Sequence, residues 1–123
     1  MAQSGEIARF IDVVERPDLD PAFSGAGSVH HIAFRAKDDS HQQEIRELVA
    51  GKGIGVTEVR ERHYFRSIYY REPSGILFEI ATDQPGFDID EDLDQLGATL
   101  KLPPWLEKHR RSIEESLQPL DHK

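Results

Sequence analysis

Val29-His30-His31-Ile32-Ala33-Phe34 and Ile76-Leu77-Phe78-Glu79-Ile80 are the two stretches whose reading decides the fold. Each places a metal-competent side chain among apolar neighbours, where an uncompensated polar or charged group is costly. Period-2 alternation puts Ile32 and Phe34 on one face of the first stretch and His31, with Ala33, on the other. In the second stretch Phe78 and Ile80 share a face and Glu79 points the opposite way. If both apolar faces pack on the same layer, His31 and Glu79 emerge together on the far side of one sheet. That pair is two-thirds of a 2-His-1-carboxylate site. A third ligand is missing from the obvious places.

The elements around these stretches set their order. Residues 6–14 are β-rich and read as a strand, followed by a loop rich in Pro and Gly up to Gly27. A strand is expected at about residues 28–36. Ser40 then opens a helix in a capping-box pattern with Gln43, and Ile45, Leu48 and Val49 form its buried stripe. Gly51 and Gly53 end it. Two strand-like runs, 54–60 and 64–71, come next, and Glu72-Pro73-Ser74-Gly75 turns the second into the Glu79 strand as a hairpin. The expected order is β-α-β-β-β. The fold class is α+β, with an extra N-terminal strand and a C-terminal helical tail. Residues 1–27 are strand and loop, 28–83 the module, and 84–123 an acidic loop and helix. A sheet with one helix on one face leaves the other to pack on a second sheet or to line a cleft.

Composition narrows the function classes. At 123 residues the chain is one domain or less, with 37% apolar and 31% charged residues. Its 23 acids against 15 bases argue against nucleic acid or an anionic membrane as main partner. The absence of cysteine excludes disulfides, thiolate metal sites and cysteine nucleophiles. With no signal-like N-terminus and no apolar run of membrane-spanning length, a cytoplasmic protein is the expectation.

Rival chemistry is weaker. Between residues 81 and 100 there are six acids and no base, but Leu93 and Thr99 stand where a calcium loop needs Gly and Glu, so this is read as a solvated loop. A final helix is expected from Pro103-Pro104-Trp105, with Leu106, Ile113 and Leu117 as its stripe and Trp105 and Leu106 as docking anchors. Tyr69 could donate to a bound oxygen species and Arg62 could hold a carboxylate or phenolate. Against this, Tyr64, Phe65, Tyr69 and Tyr70 read as cross-strand aromatics, and Arg62 as a surface partner of Glu61 or Glu58. His30 reads as a packing histidine sharing the face of Ile32 and Phe34, unless a strand bulge swaps it with His31.

Gly27-Ser28-Val29-His30-His31-Ile32-Ala33-Phe34-Arg35, the run from Tyr64 to Asp83, and Leu102-Pro103-Pro104-Trp105-Leu106-Glu107 resemble a late βαβββ module of ring-cleaving dioxygenases of the vicinal oxygen chelate (glyoxalase-like) superfamily, above all the hydroquinone type. The resemblance implies Fe(II), or Mn(II) or another divalent metal, held by two histidines and a glutamate. His31 matches the second histidine and Glu79 the glutamate. Tyr69, His30 and Arg62 match groups beside the metal and substrate. It implies O2 and a small dihydroxylated aromatic, such as a hydroquinone or catechol, as reactants. The first histidine of such enzymes lies on an early module, so the chain resembles their C-terminal portion. A homodimer or a separate N-terminal half would complete the site. A glyoxalase-like isomerase or lyase, and a non-catalytic binding module or orphan fragment, are the rival readings.

Overall fold

The computed structural model of the chain describes residues 11–20, 23 and 25–118. Its elements run β1 (Ile32–Arg35), α1 (Asp39–Gly51), β2 (Arg60–Glu61), β3 (Arg66–Arg71), β4 (Leu77–Ala81) and α2 (Arg110–Ser116). Strands β1 to β4 form one mixed sheet in the order β1-β4-β3-β2. Strand β1 lies parallel to β4, while β3 is antiparallel to both β4 and β2. This is the βαβββ order expected, and the molecule is α+β.

Helix α1 covers one face. Phe34, Ile45, Val56 and Tyr70 pack around Ala36, Ile68 and Ile80, with edge-on aromatic contacts from Phe78 to Phe34 and Tyr70. Gln42 locks helix to sheet. It is 1% exposed, and its Nε2 donates to the carbonyls of Arg66 and Ile80, both at 2.8 Å. On the opposite face Ala33 stays exposed although it pairs with Glu79 across β1 and β4. The tight turn before β4 suits its sequence. Gly75 has φ 92°, a left-handed conformation that glycine adopts without steric cost, and Glu72 Oε1 accepts from Ile76 N at 2.8 Å.

Several expectations shift. Residues 28–31 are not strand, so alternation begins only at Ile32. The cap of α1 is Asp38, whose carboxylate accepts from His41 N at 2.8 Å, and Ser40 lies inside the helix. Both residues can cap, but the chain is extended at Asp38. Within the expected stripe Val49 is buried and Ile45 half-buried, but Leu48 is 62% exposed. Gln42, outside the expected stripe, is buried together with Val49. The run 54–60 contributes only an isolated bridge, Val56 to Tyr70, before β2 begins. Of the strand expected over residues 6–14, residues 6–10 lie outside the described residues, and 11–14 are exposed and unpaired.

The acidic segment folds back on the hairpin instead of being wholly solvated. Asp90 accepts from Tyr64 OH at 3.1 Å and faces His63 Nε2 at 3.3 Å, while Tyr64 stacks on Phe87. The C-terminal helix starts later than expected, after a turn over residues 104–106 and a 3₁₀ segment, Glu107–His109. Leu106 and Leu117 are exposed and Trp105 largely so, its ring edge-on to His63. Among the described residues no helix is long and apolar enough to cross a membrane.

Candidate metal centre

Register dictates the site. Glu79 on β4 is flanked by Ala33 on β1 and Tyr69 on β3, and all three project from the face opposite α1. His31, just before β1, reaches the same point. Its Nε2 lies 2.7 Å from Glu79 Oε2. Tyr69 OH donates to Glu79 Oε1 at 2.7 Å, and Arg62 Nε donates to Tyr69 OH at 3.1 Å with its guanidinium over the ring. His30 Nδ1 is 2.8 Å from His31 Nδ1. The five candidate residues therefore form one continuous chain: His30, His31, Glu79, Tyr69, Arg62.

Glu79 is only 3% exposed although it stands on the face away from the helix, because its neighbours enclose it. A buried carboxylate needs donors on both oxygens, and these neighbours supply them. Two expectations are corrected. His30 does not share the face of Ile32 and Phe34: it is exposed and turns its ring edge-on to His31, since the chain is not extended strand there. Arg62 pairs with neither Glu61 nor Glu58: Glu58 meets Arg46, and Glu61 accepts from His63 N. Sequence reasoning missed Ser67, which is fully buried and donates its Oγ proton to Glu79 Oε1. The signal was present. Ser67 lies two residues before Tyr69 in a strand, hence on the same face.

Burial, reinforced by the hydrogen bond to Glu79, holds the Tyr69 phenol above its ordinary value, with Ser67 and Arg62 opposing. It stays protonated at neutral pH and so remains a donor. Burial also raises Tyr70 and Tyr64, the latter aided by Asp90. A tyrosine raised in the folded chain keeps a proton that the unfolded chain releases above pH ~10. Its contribution is present below that pH and lost as pH climbs through the folded value. Thermal midpoints should thus fall steeply above pH ~10, and Tyr69→Phe should soften the fall. Melts across neutral to alkaline pH check this; a Tyr69→Phe curve parallel to wild type would contradict it.

The chain belongs to the glyoxalase/bleomycin resistance protein/dioxygenase superfamily, whose family model matches residues 4–80. It is 46% identical over 120 residues to the "Putative ring-cleaving dioxygenase MhqA" of Bacillus subtilis, a match covering 96% of this chain and 38% of that protein. It is 38% identical over 107 residues to the chlorohydroquinone/hydroquinone 1,2-dioxygenase of Sphingobium indicum, covering 85% of this chain and 33% of that one. A crystal structure titled as a "putative dioxygenase from Bacillus subtilis" superposes with a TM-score of 0.75 at 51% identity, over 81% of this chain and 32% of that one. The chain thus spans well under half the length of these relatives.

Dioxygenases of this superfamily imply a divalent metal, and the donor set here fits one in part. An imidazole nitrogen and a carboxylate oxygen converge at 2.7 Å, a mixture that suits iron, manganese or zinc. Among the described residues no group of three or more His, Cys, Asp or Glu side chains could hold an ion. The described residues bring two donors.

Proposed function

We propose that this chain is the ligand-bearing module of a metal-dependent ring-cleaving dioxygenase acting with O2 on dihydroxylated aromatics such as hydroquinones or catechols. The observation that carries the reading is the meeting of His31 Nε2 and Glu79 Oε2, with Tyr69 on the same carboxylate, on the face away from α1. Likeness to relatives named as ring-cleaving and hydroquinone dioxygenases supports it.

His31 and Glu79 would hold Fe(II), with Mn(II) or another divalent ion as alternatives. Such an ion, when bound, would activate the aromatic diol and O2 and relay electron density between them. The chain's own groups do the rest. Arg62, its guanidinium beside the Tyr69 hydroxyl, orients the substrate by pairing with a phenolate. Tyr69, protonated, gives its one hydrogen bond to Glu79 and keeps that carboxylate in place beside the substrate. His30, exposed, would accept the Nδ1 proton of His31 on its own Nδ1, which leaves its Nε2–H to donate to the substrate oxygen.

Two donors among the described residues call for a complement. In this reading a two-fold dimer presents open face to open face, giving a His2Glu2 set, or a separate N-terminal half brings the missing histidine. Mixing His31→Ala with Glu79→Ala subunits separates these. A shared site gives heterodimers one His31 and one Glu79, which should bind Mn(II) with an affinity different from that of either parent. Equal affinities count against sharing. Oxygen uptake by the Fe(II)-loaded chain with hydroquinone tests the activity: turnover without oxygen favours an isomerase or lyase. A chain that takes up no metal after reconstitution points to a binding module or an orphan fragment.

A further inference from the structure

Three donors meet Glu79, and they divide unequally between its two oxygens. Ser67 Oγ and Tyr69 OH both donate to Oε1, whereas only His31 Nε2 faces Oε2. A carboxylate oxygen has two lone pairs for hydrogen bonds. Oε1 is therefore fully engaged, and Oε2 alone remains directed at the imidazole.

We propose that Ser67 is a positioning residue that makes Glu79 a single-oxygen metal ligand; this rests on the metal-site reading above. Tyr69 cannot do this alone. Its one hydrogen bond leaves the second lone pair of Oε1 open, and the carboxylate free to rotate toward chelation. Ser67 is 0% exposed, so bulk water cannot replace its hydroxyl. Its place follows from strand geometry: Ser67 and Tyr69 share a face of β3, Tyr69 directly across from Glu79 and Ser67 opposite Ala81, from where its hydroxyl reaches Glu79 diagonally. Among the described residues no buried side-chain polar atom lacks a partner, so the network is complete as it stands. A carboxylate confined to one oxygen also leaves one more coordination position for substrate than a chelating one.

The test is Mn(II) titration of the full chain, with difference infrared spectra of metal-loaded against metal-free protein labelled with 13C-glutamate. Ser67→Ala should weaken Mn(II) binding about tenfold, as loss of groups that orient ligands commonly does. It should also narrow the splitting of the carboxylate stretches, the mark of a shift from one-oxygen to two-oxygen binding. Ser67→Thr keeps the hydroxyl and should stay within about threefold of wild type in affinity, well short of the loss in Ser67→Ala. If the alanine variant does not fold, Ser67→Cys, a near-isosteric but weaker donor, carries the same comparison. Unchanged affinity and splitting on loss of the hydroxyl overturn the role of Ser67 alone. A wild-type chain that binds no Mn(II) overturns the metal-site reading itself.

Discussion

Glu79→Ala should abolish measurable Mn(II) or Fe(II) binding and, in the metal-free chain, lower stability by about 2–3 kcal/mol. The two effects have separate origins. As a proposed ligand Glu79 is one of the two donors among the described residues, and a single imidazole holds a divalent ion weakly. As a buried acceptor it serves Ser67, Tyr69 and His31 at once. Removing it strands the Ser67 hydroxyl, which has no access to water, at a cost of about 1–3 kcal/mol; Tyr69 and His31 are less enclosed and partly recover through solvent. Glu79→Gln separates the two. Its carboxamide oxygen can accept from Ser67 and Tyr69, while its NH2 donates to His31 Nε2. The metal-free chain should then stay within about 1 kcal/mol of wild type, while the metal affinity is lost with the charge. Urea unfolding and anaerobic metal titration of both variants measure this. A Glu79→Gln chain that binds Mn(II) as wild type does would remove Glu79 from the ligand set.

The meeting of the five candidate residues was more legible in the sequence than the element boundaries were, and the reason is physical. Alternation in β4 is enforced by a packed layer on one side only, so placing Phe78 and Ile80 inward leaves Glu79 a single direction. The hairpin through Gly75 then fixes which residue of β3 stands beside it, and that residue is Tyr69. Boundaries depend on finer competition. Asp38 and Ser40 are both good caps, and only the chain's path into α1 decides between them. Periodicity alone also could not tell that Gln42 would turn inward. A buried glutamine is paid for by two open carbonyls at the sheet, those of Arg66 and Ile80, which no linear pattern announces. Ser67 escaped notice for a similar reason. A small hydroxyl in an aromatic strand reads as filler until its neighbour across the sheet is known to be a carboxylate.

Ile68→Ala should cost about 3 kcal/mol or more, the largest loss expected from a single change to the apolar layer. Among the described residues, the buried apolar side chains are only Ala36, Val49, Ile68 and Ile80, so little else can compensate. Ile68 pairs with Ile80 across β3 and β4 and is the largest of the wholly buried side chains. Truncation leaves a cavity between sheet and helix that Ala36 is too small to fill. The damage should cross the sheet. Ser67 and Tyr69 flank Ile68 in sequence, and Glu79 precedes Ile80, so the residue that anchors one face also fixes the strands carrying the network on the other. A chain with so slim a core has a small margin of stability. The variant should show a lower urea midpoint and broadened amide resonances for β3 and β4. Leu48→Ala is the control: that side chain is exposed on α1, and its loss should move the midpoint by under about 0.5 kcal/mol in stability. Equal effects from the two substitutions would mean that the apolar layer between α1 and the sheet does not hold the site together.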